Sequence, residues 1–180
     1  RLSTPSVKIV PVITMKGPLH GGAPRPVLDT VEEIAEMGDP TEYVEGVLGS
    51  GERPMGFGHR AYDVRDPRAA VPGEAAEAFY RGSDRKAFFE LASEVESVGV
   101  DLLERHRPGL ALETNVGFYT AVLLNGVGID RDLFTPTFAV GRAGGWTAHC
   151  LEQLADNRLI RPRALYSGEF DREGTPAGAR

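Results

Sequence analysis

The segment Met55–Arg68, MGFGHRAYDVRDPR, places one histidine and three arginines beside a glycine-rich turn. Gly56 and Gly58 carry no Cβ, so the backbone can turn tightly there or approach a ligand closely. His59 follows directly, and its imidazole exchanges a proton near neutral pH. Arg68 follows a proline and offers a planar guanidinium suited to bidentate capture of a carboxylate. The segment predicts a site that holds a small anion and polarises its carbonyl. The alternative is an ordinary surface turn with solvated charges.

Helical patterns flank this segment on both sides and indicate a mainly α protein. Before it, the apolar spacing predicts a helix over 27–37 and a short one, capped by Asp39 or Thr41, that ends near Leu48. After it, four helices are predicted: 74–80, a longer one from a cap at Ser83 or Asp84 to about 105, 115–124, and 135–155. Gly126 and Gly128 are expected to break the third of these, and glycines to loosen the last. Two of these helices have an apolar stripe, which comprises Val27, Leu28, Val31, Ile34 and Ala35 in the first and Phe88, Leu91, Ala92, Val95, Val98 and Leu102 in the long one.

The two ends of the chain predict little regular structure. Residues 1–14 are rich in β-branched residues and broken by two prolines, which favours extended chain. The Gly- and Pro-rich run 16–26 predicts a loop with His20 at its centre. The tail 167–180 has little to bury, so we expect it to be mobile.

Composition and charge are those of a soluble globular protein. A length of 180 residues predicts about one domain, and 41% hydrophobic with 26% charged residues is ordinary. A formal charge of −6 argues against nucleic acid as a partner. The single cysteine, Cys150, excludes an intrachain disulfide and suits a reducing compartment. No apolar run approaches the roughly 20 residues of a membrane helix, and no secretory pattern opens the chain, so we expect a cytoplasmic protein without a membrane partner.

Two common kinds of site are excluded because their sequence motifs are missing or incomplete. Closely spaced metal ligands such as HExxH or paired CxxC are missing, so no metal is predicted. Gly56, Gly58 and Ala61 fit a dinucleotide-binding spacing, but the preceding ERPM is a poor strand, and we reject that interpretation. We expect structural roles for His106, at a helix C-terminus, and for His149, packed on a helix beside Trp146.

Five segments resemble the citrate synthase family in its archaeal and bacterial form, in the order and approximate spacing of that family. They read GPLHGGA (17–23), GFGHRAYDVRDPRA (56–69), NVGFYTAVLLNGVGI (115–129), LFTPTFAVGRAGGWTAHCLEQ (133–153) and RLIRPRALYSG (158–168). The resemblance implies an almost wholly helical fold, of which this chain covers the C-terminal half. Residues 1–23 would end a large-domain part (with 1–14 atypical), 24–133 would form the small domain, 134–168 would return to the large domain, and 169–180 would be a flexible tail.

The resemblance also implies a reaction, the condensation of acetyl-CoA with oxaloacetate to citrate and CoA in the tricarboxylic acid cycle. Here CoA is a substrate and product, and no cofactor is held permanently. His20 would donate to the thioester oxygen, and His59 would polarise the ketone of oxaloacetate. Arg68 and Arg142 would clamp the carboxylates, and Arg161 would reach across a homodimer into the partner's site. The loop that accepts the adenine end of CoA would comprise Pro54, Met55, Gly56, Phe57 and Gly58.

One position departs from the family's pattern. The family's general base is the aspartate of an N-V-D-F-Y motif, and this chain has Gly117 there. Glycine takes no proton, and neither Glu113 nor Asp130 is placed by any motif to replace the base. Three interpretations stay open: a citrate synthase-like acyltransferase, a 2-methylcitrate synthase that uses propionyl-CoA, and an inactive homologue that retains dicarboxylate and CoA binding.

Overall fold

The computed structural model describes residues 24–59, 64–110 and 112–159, together with 161, 163, 165 and 167. These ranges form six α-helices and a short 3₁₀ turn, and they contain no β-strand; one isolated antiparallel bridge joins Phe57 to Thr114. The helices are α1 (Pro24–Met37), α2 (Pro40–Gly49), α3 (Ala70–Tyr80), α4 (Lys86–His106), α5 (Val116–Gly126) and α6 (Phe134–Ala155), with the 3₁₀ turn at Arg131–Leu133. The predicted mainly α class is confirmed.

The first two helices begin as their local chemistry dictates. α1 starts at Pro24, so the loop predicted over 16–26 is wrong for its last three residues. A proline in the first helical turn loses no hydrogen bond, because that N–H has no partner inside the helix. α1 buries the predicted stripe except Ala35, which is exposed. α2 is capped by Asp39, whose carboxylate accepts the N–H groups of Thr41 at 2.9 Å and Glu42 at 3.1 Å.

The later helices run further than the sequence predicted, with one exception. α3 begins at Ala70, four residues early, and α5 continues through Gly126. α6 is continuous across its glycines, because a helical glycine costs only about 1 kcal/mol and keeps its backbone hydrogen bonds. The exception is α4, which begins at Lys86 and not at a cap on Ser83 or Asp84. The Ser83 hydroxyl instead accepts the N–H of Arg85 at 3.1 Å, in the turn before the helix.

The core of the described residues lies where α1, α3, α4 and α5 meet. Tyr80 and Phe118 are fully buried there, and the Tyr80 hydroxyl donates to the carbonyl of Val122 at 3.0 Å. α4 contributes Ala92 and Val95 from its predicted stripe. α5 is therefore held by packing along its length, which fixes the segment that contains Gly117.

Two compact units divide the chain, Arg1–Ala143 and Gly144–Arg180. In the second unit His149 is exposed and its Nδ1 lies 3.2 Å from Glu152 Oε2, so the expected packing of His149 is wrong. The physical reason is that Phe134 is the only fully buried residue of α6, all of whose residues are described. No helix in the described part of the chain is both long and apolar enough to span a membrane. The predictions for 1–23 and 168–180 fall outside the described residues.

Candidate active site

The glycine-rich turn and the start of α5 are joined by backbone hydrogen bonds. The Gly58 N–H donates to the Glu113 carbonyl at 2.7 Å, and the Asn115 N–H donates to the Gly56 carbonyl at 2.8 Å. The Asn115 side chain adds a bond from Nδ2 to the Gly58 carbonyl at 2.9 Å. The turn that leads to His59 and the helix that contains Gly117 therefore hold a fixed relation to one another.

Glycine is required in this turn for backbone and packing reasons. Gly56 has φ of +91°, and a Cβ there would lie 2.7 Å from Val27 Cγ2 and 2.9 Å from Phe118 Cδ2. Gly58 has φ of +73°, which side chains other than glycine rarely adopt. At Gly56 the close approach predicted from sequence is thus made to the protein's own core.

His59 and Arg68, nine residues apart, are in contact. Arg68 Nη2 donates to His59 Nε2 at 3.0 Å. Since a guanidinium only donates, Nε2 must be the unprotonated nitrogen, and the imidazole keeps one N–H at Nδ1. The pair thus offers one cationic donor group and one neutral N–H donor, which suits a carboxylate next to a carbonyl.

Asp66 orients the guanidinium of Arg68. Arg68 Nε donates to Asp66 Oδ1 and Arg68 Nη2 donates to Asp66 Oδ2, both at 2.9 Å. The backbone N–H groups of Arg68 and Val116 add bonds at 3.0 Å, so the carboxylate also connects to the start of α5. Asp66 is only 2% exposed, so the charges of this segment are not simply solvated.

The electrostatics of Asp66 follow from these bonds. Burial by itself raises the pKa of a carboxyl group, because it penalises the charged form. The donors from Arg68 and Val116 outweigh burial and bring the pKa of Asp66 down to about 2. Asp66 is therefore an anion at neutral pH. No site role was predicted for Asp66, although an aspartate directly before a proline is a turn signal, because its side chain can accept the backbone N–H two residues on.

Gly117 lies buried in the first turn of α5, where its N–H donates to Asn115 Oδ1 at 2.9 Å. Glu113 lies before that helix, with its Oε2 4.0 Å from Arg65 Nε. Asp130 caps the 3₁₀ turn, at the far end of α5, by accepting the N–H of Asp132 at 2.8 Å. An 11-residue helix spans roughly 16 Å, so Asp130 lies well away from position 117.

A second carboxylate near the start of α5 is Glu96 of α4. It accepts the hydroxyls of Thr114 and of Tyr119, the latter at 2.5 Å, and Arg65 Nη2 at 3.3 Å. Burial and the bond to Glu96 both raise the pKa of Tyr119. Glu96, Arg65 and Tyr119 border a groove of about 390 Å³ that Phe89 and Ser93 also line. No local motif marks Glu96 as a site residue, since it lies between apolar positions of a long helix.

The other predicted site residues are placed as follows. Arg142 lies on α6 and Arg161 lies after it, both with exposed side chains, and His20 is outside the described residues. The predicted adenine loop comprises Pro54, Met55, Gly56, Phe57 and Gly58, and of these Pro54 and Phe57 line a cavity of about 40 Å³ next to His106 and Arg107. Within the described ranges no group of His, Cys, Asp and Glu is arranged to hold a metal ion.

Fold and site together define a class: a helical protein in which an imidazole and a guanidinium lie side by side, with the guanidinium held by a buried carboxylate. The sequence model for the citrate synthase C-terminal domain matches residues 7–163. The chain is 46% identical over 168 residues to the citrate synthase of Haloferax volcanii, covering 93% of this chain and 42% of that protein. Its identity to the citrate synthase of Acidithiobacillus ferridurans is 42% over 169 residues, or 93% and 43% of the two chains.

Solved structures give the same result. The citrate synthase of Thermotoga maritima matches with a TM-score of 0.71 and 38% identity, covering 90% of this chain and 43% of that one. The citrate synthase of Thermoplasma acidophilum, solved as a ternary complex with carboxymethyl coenzyme A and oxaloacetate, matches with a TM-score of 0.70 and 32% identity. The match covers 92% of this chain and 44% of that one. The chain belongs to the citrate synthase family. It spans less than half the length of these curated relatives.

Proposed function

We propose that this chain contributes to a citrate synthase-type site, at which acetyl-CoA and oxaloacetate condense to citrate and CoA. The observation that carries the proposal is the contact between His59 and Arg68, with Asp66 holding the arginine. Oxaloacetate is a keto dicarboxylate, so a guanidinium and an N–H donor side by side match its carboxylate and ketone. The Thermoplasma relative, which binds oxaloacetate together with a CoA analogue, supports the same assignment.

The reaction needs a proton removed from the acetyl methyl group, a bond from that carbon to the ketone carbon, and hydrolysis of the resulting thioester. His20 is proposed to donate to the thioester oxygen while the enolate forms. The His59 N–H is proposed to stabilise the oxyanion that develops on the ketone. Arg142 and, across a homodimer, Arg161 are proposed to bind carboxylate oxygens with Arg68. The backbone of Pro54, Met55, Gly56, Phe57 and Gly58 is proposed to accept the adenine of CoA.

Gly117 favours a second candidate, a homologue that binds the substrates without rapid turnover. A positioned general base supplies ~10²–10⁴ in rate, and the carboxylate expected at position 117 is missing. Acetyl-CoA is proposed as the acyl donor. Propionyl-CoA, for a 2-methylcitrate synthase, is the variant that a direct comparison of the two thioesters would reveal. A cytoplasmic location also stays a prediction.

We expect Gly117→Asp to restore condensation. The purified chain, Gly117→Asp and Gly117→Asn would each receive acetyl-CoA and oxaloacetate, with free thiol release followed. Asparagine matches aspartate in size but takes no proton, so it separates the base from the effect of filling the site. The expected result is oxaloacetate binding by the unmodified chain, and thiol release at least ~10²-fold faster in Gly117→Asp than in the other two.

Other outcomes are equally informative. Rapid thiol release by the unmodified chain would remove the binding-only candidate. Failure of the unmodified chain to bind oxaloacetate in calorimetry, with no release from Gly117→Asp, would contradict the proposed function of this site. An Arg68→Gln variant that binds oxaloacetate as tightly as the unmodified chain would contradict the role of Arg68.

A further inference from the structure

Glu96 is the point at which three separate segments near the candidate site meet. Its carboxylate accepts Arg65 Nη2 from the segment before α3, the Thr114 hydroxyl from the segment before α5, and the Tyr119 hydroxyl from α5 itself. Thr114 is fully buried and Tyr119 nearly so, while the Glu96 side chain is 22% exposed. Charge-assisted bonds to partly buried groups are among the stronger ones in proteins.

Each partner of Glu96 is a close neighbour in sequence of a residue in the candidate site. Arg65 precedes Asp66, which holds Arg68, and Thr114 precedes Asn115, which bonds to the Gly58 carbonyl. Tyr119 lies two residues after Gly117. Asp66 already joins the same segments once, through the N–H of Val116 at 3.0 Å. Glu96 joins them a second time, from α4.

We propose that Glu96 is a positioning residue for the oxaloacetate site: it fixes the segment 65–68 against the start of α5 and so sets where Arg68 lies. The ligand named here, oxaloacetate, rests on the proposed function, whereas the contacts of Glu96 do not. A carboxylate is needed because three donors require acceptor oxygens alone. Glutamine would keep the length of the side chain and one acceptor oxygen, and would turn an N–H₂ group toward donors.

The test compares Glu96→Gln with Glu90→Gln in the full chain. Glu90 is on the same helix and undergoes the same chemical change, but it is exposed and its ion pair is with Lys86, one turn away. Oxaloacetate dissociation constants would be measured by calorimetry at a temperature where all three proteins are fully folded. Amide hydrogen exchange over 112–119 would be measured without ligand.

We expect Glu96→Gln to weaken oxaloacetate binding about 10-fold and to accelerate exchange at Val116 and Gly117 by a similar factor. Glu90→Gln should change neither. A lower melting temperature for Glu96→Gln with an unchanged dissociation constant and unchanged exchange would overturn the proposal, because it would show that Glu96 only stabilises the fold.

Two milder variants keep the proposal testable if Glu96→Gln does not fold. Arg65→Gln changes a half-exposed side chain, and Tyr119→Phe removes a single hydroxyl; each should weaken oxaloacetate binding, and unchanged binding in both would overturn the proposal. If the unmodified chain does not bind oxaloacetate, the proposed function fails on its own. Faster exchange in the variants would then still support the anchoring role of Glu96, and unchanged exchange would overturn it.

Discussion

The stability of the fold depends on pH through Asp66, because the bonds around its carboxylate lower its pKa. The pKa of Asp66 is about 2 in the folded chain, below the value of 3.8 for a free aspartate side chain. Because the folded-state pKa is the lower one, Asp66 stabilises the fold fully above pH ~4, and this stabilisation is lost as the pH falls toward 2. A shift of this size corresponds to about 2 kcal/mol at neutral pH.

We therefore expect Asp66→Asn to lower the free energy of unfolding at pH 7 by about 2 kcal/mol and to flatten the loss of stability between pH 4 and pH 2. Urea unfolding at pH 7, 4 and 3 would measure both effects. Asp84→Asn is the matched control, because Asp84 is an exposed aspartate that precedes α4 and has Ser83 as its partner. The same pH profile in both variants would contradict the role assigned to Asp66.

The same residue shows what a sequence can and cannot reveal about a site. His59 and Arg68 were predicted because each stands beside its own local signal, a glycine turn or a proline. Glu96 was not predicted, because its partner Tyr119 is 23 residues away along the chain. Asp66 is only two residues from Arg68, but its burial and its bond to Val116, 50 residues away, are set by packing that the local sequence does not show. Only the packing of α4 and α5 brings these groups together.

At the scale of elements, α4 supports the glycine-rich turn through one residue, Gly99. The Phe57 ring lies against it, and a Cβ on Gly99 would lie 2.4 Å from Phe57 Cζ. Phe57 also packs edge-on against Phe118, with ring centroids 5.6 Å apart. Phe57 is therefore wedged between α4 and α5, and the turn that precedes His59 depends on that space.

We expect Gly99→Ala to destabilise the chain by about 1–3 kcal/mol, since overpacking outweighs the roughly 1 kcal/mol gained from helix propensity. Gly46→Ala in α2 is the control, because nothing lies within 4 Å of its added Cβ, and it should be neutral or slightly stabilising. In the double variant, Phe57→Leu should recover part of the stability lost in Gly99→Ala. If the losses in unfolding free energy of the two single variants, measured in urea, simply add in the double variant, the proposed contact is contradicted.

Helix periodicity predicted every described helix, but not where each one begins. α1 and α3 both begin earlier than predicted because prolines occupy their first turns, at Pro24, Pro26 and Pro72. The prolines of the run 16–26 were interpreted as loop signals, whereas a proline in a first turn costs no hydrogen bond. The glycines of α6 were likewise expected to loosen the helix, but their small cost in helix propensity did not interrupt it.

At the scale of the whole molecule, the described helices bury their apolar surface unequally. α1 is held from both sides: it packs in the core, and Arg131 donates to Asp29 and Glu32 at 2.6 Å each, from about 100 residues further along the chain. These ion pairs are only partly buried and add about 1 kcal/mol each, so the core supplies most of the stability of the first unit. α6 is different, because among its residues, which are all described, only Phe134 is fully buried.

That difference predicts self-association of the isolated chain. Leu151 and Leu154 lie on one face of α6 in the second unit and are 64% and 59% exposed. Contiguous exposed apolar surface drives contact between molecules, so sedimentation velocity should show species that grow with protein concentration. Leu151→Gln with Leu154→Gln should shift the chain toward monomer, while Val71→Gln, at a single exposed valine on α3, should not. A chain that stays monomeric at all concentrations and melts cooperatively would contradict the prediction, since these leucines would then cost the isolated protein nothing.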